Sequence, residues 1–140
     1  MYDAAAAKAF SIVSFTAIAF FAIVVTLALV NVRRPEVHKR LMLLATVSIL
    51  QAPVARWFLM ALRPPDAVGA PPVAVSIAPG FVVDLLIVAA MIFDWRTRGR
   101  PHRVYVIGGA LLLALQLLRL PLSATVTWGR IADAALALAR

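Results

Sequence analysis

The chain has 140 residues, of which 64% are hydrophobic and 14% charged, with a formal net charge of +8. Soluble domains are about half apolar and about a quarter charged, and a domain of this size leaves much of its surface in water. The composition therefore excludes an ordinary soluble fold and favours a membrane protein. The chain has no cysteine, which excludes disulfides, thiolate metal sites and a cysteine nucleophile.

The first apolar run, Ala9–Val32, predicts a membrane-spanning helix. It has no charged residue over about 24 positions, which extend about 36 Å as a helix, and a hydrocarbon core is about 30 Å thick. The run is also longer than the apolar region of a signal peptide, which has about 7–15 residues. We therefore expect it to remain in the protein as helix one, at about 9–32.

Three further apolar runs predict three more helices, at about 41–62, 76–95 and 104–122. The start of helix three has two interpretations: Pro79 is its first residue, or the helix begins near Val73 with Pro79-Gly80 as a kink. Helix four is expected to stop at Pro121. The predicted fold class is all-α, an integral membrane four-helix bundle in which residues 1–140 form a single membrane domain.

The C-terminal segment 123–140 is too short to cross a membrane a fifth time. Polar residues and apolar residues fall on opposite faces of a helix in this segment, and Trp128 stands near its beginning. We expect a short amphipathic helix at the membrane interface, although the segment could also continue helix four.

Basic residues concentrate in two loops, "RRPEVHKR" and "RTRGRPHR". Under the positive-inside rule both loops face the cytoplasm, which predicts a multi-pass protein of the bacterial inner membrane with both termini in the periplasm. This distribution explains the net charge without a nucleic-acid partner. The residues expected to set the topology are Arg33, Arg34, Lys39, Arg40, Arg96, Arg98, Arg100 and Arg103.

Helices two and four begin alike, since "RPEVHKR" and "RPHR" precede them. Sixteen residues separate Arg40 from Arg56, and sixteen separate Arg103 from Arg119. This pattern indicates two tandem helical hairpins, a parallel repeat of the sort found in some transporters. Coincidence is the alternative, because basic loops and helix-opening prolines are common at membrane boundaries.

Polar residues inside the predicted helices indicate a buried cluster. Sixteen helical residues rise about 24 Å, so Arg56 and Arg119 lie at the same depth, far from the basic loops. Asp84 on helix three lies within about 6–8 Å of that depth. A charge in the hydrocarbon core is costly unless it is paired, so we expect Asp84 to pair with Arg56, Arg119 or both. Gln116, one turn from Arg119, can add hydrogen bonds.

This cluster has a structural and a functional interpretation. In the structural interpretation, the cluster holds the helices in register and has no other role. In the functional interpretation, its two arginines and one aspartate form a net positive site for an anionic or lipidic ligand. His38 and His102 are the only histidines, and both lie at the basic loops. They could be solvent-exposed residues without a binding role, or they could bind a b-type haem or a metal. No other cofactor is predicted, and no catalytic motif is present.

The segments "RRPEVHKRLMLLAT", "DLLIVAAMIFDWRTRGRPH" and "LLALQLLRLPL" resemble a group of uncharacterised bacterial multi-pass inner-membrane proteins. The resemblance covers helices two to four and implies no activity. The positions that it singles out are His38, Arg56, Asp84, Asp94, His102 and Arg119.

These observations predict a non-enzymatic membrane protein that binds an anionic or lipidic ligand or serves as an accessory subunit. The expected partners are membrane lipids, together with a second copy or a larger membrane complex. Two alternatives remain, a haem-binding redox protein that uses His38 and His102, and a small dimeric transporter. Small multidrug exporters rely on an acidic residue in helix one, and this chain has none between Ala9 and Val32.

Overall fold

The chain forms a bundle of long helices. The computed structural model describes residues 4–62, 64 and 69–138. Within these residues the α-helices are α1 Ala4–Val30, α2 Pro35–Leu62, α3 Ile77–Arg98, α4 Arg103–Ser123 and α5 Val126–Leu138. A 3₁₀ segment, Val73–Ser76, runs directly into α3. No strand occurs in this part of the chain, so the all-α prediction is confirmed.

Four spans, α1, α2, α4 and the 3₁₀ segment together with α3, are long and apolar enough to cross a membrane. Each of α1 to α4 packs against its neighbour in sequence, and α1 also packs against α4. Arg40 of α2 pairs with Asp94 of α3, so the 31–34 and 99–102 loops lie at one end of the bundle, here called the basic end. The predicted membrane four-helix bundle is confirmed.

The bundle has an apolar core and, unlike a soluble protein, a largely apolar outer surface as well. Large apolar residues point outward from every span, with Ile18 64%, Phe93 67% and Leu111 58% exposed. Gln116 and Arg119 are only 2% and 1% exposed. Water would disfavour such a surface, whereas lipid solvates it and drives polar side chains toward the interior.

The helices extend beyond the predicted apolar runs at several ends. α1 begins at Ala4 because the alanine-rich start has high helix propensity. α2 begins at Pro35, since proline suits the first helical position. The span of helix three begins at Val73, which agrees with the second interpretation of its start. The prediction that Pro121 stops helix four was wrong by two residues, because α4 continues through it to Ser123.

A short break at Ala124 and Thr125 separates α4 from α5, which confirms a distinct C-terminal helix. α5 packs along the beginning of α1. The Trp128 indole N–H donates to the Lys8 carbonyl oxygen at 2.9 Å, and its ring meets Phe15 edge to face at 5.9 Å. Lys8 also forms an ion pair with Asp133. Residues 139 and 140 of the predicted segment lie outside the described residues.

Candidate functional site

The most buried charged side chain is Arg119, 1% exposed near the end of α4. Its Nε donates to the Thr16 hydroxyl at 2.8 Å, and its Nη1 donates to Gln51 Oε1 at 3.0 Å. In the described residues no carboxylate forms an ion pair with it. The hydrogen bonds of this guanidinium in the interior of the bundle therefore go to neutral acceptors on α1 and α2.

Gln51 connects Arg119 to the start of the third span. Its side chain is 4% exposed, and its Nε2 donates to the Ser76 carbonyl oxygen at 2.9 Å. Gln51 therefore uses both ends of its amide between α4 and the 3₁₀ segment. This bonding fixes the orientation of the amide, because its oxygen must face the guanidinium.

Asp84 lies on the other side of Arg119 and bonds to Gln116. The Gln116 Nε2 donates to Asp84 Oδ1 at 3.3 Å, a long hydrogen bond. Gln116 and Arg119 are one turn apart on α4. We call Thr16, Gln51, Asp84, Gln116 and Arg119 the polar cluster.

Gly80 makes this arrangement sterically feasible. A Cβ atom at this position would lie 2.9 Å from Gln51 Nε2 and 3.1 Å from Gln116 Oε1. The two glutamines therefore occupy the space that a side chain would need. The glycine after Pro79 is thus required by close packing.

Three buried polar atoms of the cluster have no hydrogen-bond partner in the part of the chain described. They are Asp84 Oδ2, Gln116 Oε1 and Arg119 Nη2. One donor and two acceptors thus lie unused in the same layer of the bundle. Such groups cost free energy when buried, so the cluster retains unused capacity for hydrogen bonding.

Arg56 lies outside the polar cluster. Its side chain is exposed, and among the described residues it makes no hydrogen bond or ion pair. It lines a groove of about 270 Å³ between α1 and α2, together with Gln51, Ser14 and Ser76. The remaining lining is largely apolar, including Phe10 and Leu59.

The predicted ion pair of Asp84 with Arg56 or Arg119 is therefore replaced by other contacts. The structure brings Asp84 to Gln116, and it brings Arg119 to Gln51 and Thr16. Gln51 and Arg56 differ by about 140° in direction around the axis of α2, so only one of the two can face the interior. Gln51 takes that place, and Arg56 is left at the groove.

A second polar network lies at the basic end. Arg40, 2% exposed, donates from Nε and Nη2 to the Asp94 carboxylate at 2.8 and 2.6 Å. Its Nη1 bonds to the Glu36 carboxylate at 2.7 Å, and Arg98 also pairs with Glu36. Asp94 also lies 4.0 Å from Arg98 Nε, a contact secondary to the bidentate pair with Arg40.

The residues predicted to set the topology do not share one environment. Arg40 is buried, which the prediction of a loop cation did not anticipate. The others are exposed, and in the described residues only Lys39 and Arg98 of these are in ion pairs, both with Glu36. The exposed ones are Arg33, Arg34, Lys39, Arg96, Arg98, Arg100 and Arg103. The matching positions of the proposed repeat also differ, since Arg103 and Arg56 are exposed whereas Arg40 and Arg119 are buried.

Each histidine uses its Nδ1 atom within the protein. His38 Nδ1 lies 2.7 Å from the Ala28 carbonyl oxygen, and His102 Nδ1 accepts from the Val104 backbone N–H at 3.2 Å. A haem between them would have to use the Nε2 atoms. No group of three or more histidine or carboxylate side chains suited to a metal occurs in the described residues. Haem binding stays a prediction, which an absorbance spectrum of the purified protein tests.

Sequence reasoning did not identify Thr16, Gln51 and Arg40 as site residues. Thr16 is one of several hydroxyl residues of α1, and like Ser11 and Thr26 it also donates to a carbonyl oxygen of its own helix. Arg40 was grouped with the loop cations, although its spacing of four from Glu36 is the spacing of a helical ion pair. The Thr16 hydroxyl and the spacing between Glu36 and Arg40 can be read from the sequence. The rotation of each helix about its axis determines whether these side chains face the interior of the bundle.

No family model, curated protein or solved structure matches the chain. The function therefore has to be argued from the geometry of the polar cluster and of the grooves.

The bond between Arg119 and Gln51 predicts an energetic coupling. In a double-mutant cycle of Arg119→Met and Gln51→Leu, we expect a coupling of about 1–2 kcal/mol in the free energy of unfolding, at the upper end for interhelical hydrogen bonds in membranes. Unfolding in mixed micelles with increasing dodecyl sulfate measures it. The control pairs Arg119→Met with Thr46→Val, because the Thr46 hydroxyl bonds only to its own helix. Equal coupling in both cycles would contradict the assignment.

Proposed function

We propose that the protein is a non-catalytic membrane protein that binds an amphipathic anion in the groove between α1 and α2. The observation that carries the proposal is which partners the two arginines have. Among the described residues Arg119 has no carboxylate in an ion pair and donates to Gln51, and Arg56 makes no hydrogen bond or ion pair and lines the same groove as Gln51. Among the described residues that line this groove, Arg56 is charged and none is acidic.

The shape and lining of the groove favour a molecule with a charged head and an apolar tail. Arg56, Gln51 and Ser14 offer donors for a carboxylate or phosphate, and hydrogen bonds to charged groups are the stronger ones. Phe10, Val13 and Leu59 offer an apolar path beyond them. The volume of about 270 Å³ is close to the lower limit for small-molecule sites, so part of a long tail would remain in lipid.

The proposal also includes a membrane location and an orientation for the protein. The protein would lie in a bacterial inner membrane with its basic loops in the cytoplasm, and the groove would open in the periplasmic half. It would act as a lipid-binding protein or as an accessory subunit that presents such a ligand to a larger complex. A small transporter is the second candidate, because Asp84 reaches a separate apolar groove between α3 and α4 and the cluster thus joins two grooves.

The test uses cis-parinaric acid, a fluorescent fatty acid, with the purified protein in neutral detergent. We expect saturable binding that Arg56→Gln weakens about 10- to 100-fold, because a charge-assisted hydrogen bond contributes about 1.5–3 kcal/mol. The matched control is Arg130→Gln, since Arg130 is an exposed arginine of α5 outside the groove. The methyl ester of the probe should bind weakly to the unaltered protein. Equal binding of acid and ester, or equal loss in both variants, would refute the proposal.

A further inference from the structure

A second concave site lies at the opposite end of the bundle, in the turn between α3 and α4. It is a pocket of about 440 Å³ lined by Arg98, Arg100, Pro101, His102 and Arg103. No carboxylate is among these lining residues. Three arginines and a histidine therefore line one pocket, and every charged residue in its lining is basic.

The backbone of the turn keeps these side chains together. Gly99 adopts a left-handed conformation with φ 75°, which ends α3, and its N–H donates to the Trp95 carbonyl oxygen at 2.9 Å. Such a cap favours glycine because a side chain is strained there. Pro101 has a fixed φ and leads to His102, the cap residue of α4. Five of the six residues from 98 to 103 thus line the pocket.

His102 presents a donor to this space. Its Nδ1 accepts the Val104 backbone N–H, so a neutral imidazole carries its hydrogen on Nε2. Burial lowers the pKa of His102, and the positive charge of Arg40 lowers it further. The neutral form with an Nε2–H donor is therefore the form near neutral pH.

The neighbouring carboxylates are already compensated. Glu36 and Asp94 are held by Lys39, Arg40 and Arg98. These contacts hold the Arg98 side chain in place. Arg100 and Arg103 are exposed and make no side-chain hydrogen bond or ion pair with any described residue. Two uncompensated cations thus stand beside one anchored cation and one neutral donor.

We propose that this pocket binds a phosphate group, carried by an anionic phospholipid or by a soluble phosphate compound. Guanidinium groups match phosphate oxygens in bidentate geometry, and basic pockets between membrane helices recognise lipid headgroups. The site is separate from the groove between α1 and α2, and it does not depend on Arg56. General attraction of loop cations to an anionic membrane is the competing explanation.

Native mass spectrometry of the protein with dioctanoyl phosphatidic acid tests the proposal. All variants are made in an Arg56→Gln background, which weakens binding in the groove between α1 and α2. In that background we expect one retained lipid per chain, with affinity reduced at least tenfold in the double variant Arg100→Gln, Arg103→Gln. The matched control is Arg33→Gln, Arg34→Gln, which removes the same charge at the same end outside the pocket. Its affinity should stay within about twofold of the Arg56→Gln protein. Equal losses in the two double variants would overturn the site, because general charge attraction would then suffice.

A second arm distinguishes the source of the phosphate. The lipid is challenged with millimolar inorganic phosphate and with glycerol 3-phosphate. Displacement indicates a site that takes a free phosphate compound, and retention indicates a headgroup site that also needs the acyl chains. If the unaltered protein binds neither the lipid nor the soluble phosphates, the proposal is wrong.

Discussion

Replacing Arg40 by methionine is expected to lower the free energy of unfolding by about 3–5 kcal/mol, the usual cost of removing one member of a buried ion pair. Arg40 holds Asp94 through two hydrogen bonds of 2.8 and 2.6 Å, and both residues are nearly inaccessible. The variant leaves the Asp94 carboxylate buried without its main partner. Unfolding in mixed micelles measures the loss.

The matched control for Arg40→Met is Arg103→Met. Arg103 opens α4 as Arg40 lies near the start of α2, but it is exposed and unpaired with any described residue. Its replacement should change the free energy of unfolding by no more than about 0.5 kcal/mol. Similar losses in the two variants would mean that the Arg40–Asp94 pair contributes no more than an exposed cation.

Replacing Gly80 by alanine is expected to destabilise the bundle by about 1–2 kcal/mol. The added Cβ would meet both Gln51 and Gln116 at 2.9–3.1 Å, and overpacking typically costs about 1–3 kcal/mol. The higher helix propensity of alanine, up to about 1 kcal/mol, offsets part of this cost. The displaced Gln51 amide should also lose its bond to Arg119, so the Arg119–Gln51 coupling should shrink in this background.

Gly129→Ala is the control for Gly80→Ala, because a Cβ at Gly129 in α5 has nothing within 4 Å. That substitution should leave stability unchanged or raise it by up to about 1 kcal/mol. Loss of stability in Gly129→Ala, or a gain in Gly80→Ala, would show that steric crowding around the glutamines does not determine the outcome.

The fold was largely predictable, because lipid imposes a simple requirement on sequence. Every backbone polar group in the hydrocarbon core must be bonded within the chain, so long apolar runs must be helices. The ends of the helices were less predictable. Pro35 and the charged residues after it belong to α2, since polar residues at a membrane boundary do not stop a helix.

The polar cluster was predictable in part. Asp84, Gln116 and Arg119 were recognised because polar groups are costly in lipid, and they do lie in one layer. Their partners could not be assigned, because partner choice depends on how each helix is rotated. Gln51 and Arg56 lie on different faces of α2, and only the packing against α1 and α4 decides which one faces inward.

Helix rotation also explains why the buried cation at the basic end could not be predicted from the sequence. Lys39 and Arg40 are adjacent in sequence, and composition treats them alike. One helical step of about 100° leaves Lys39 exposed and turns Arg40 toward Asp94. The positive-inside rule predicts that cations gather at one end of the helices, but it contains no information about which of them is buried.

Arg119 donates hydrogen bonds to neutral acceptors inside the bundle, and we propose that Arg56 binds an anion in the groove between α1 and α2. A density map of the protein purified with its native lipids and bound to a rigid antibody fragment tests this most directly. We expect Arg119 to contact Gln51 and Thr16, with elongated density in the groove between α1 and α2 ending at the Arg56 guanidinium. An ion pair between Arg119 and Asp84, with the groove empty and Arg56 turned away from it, would contradict the account.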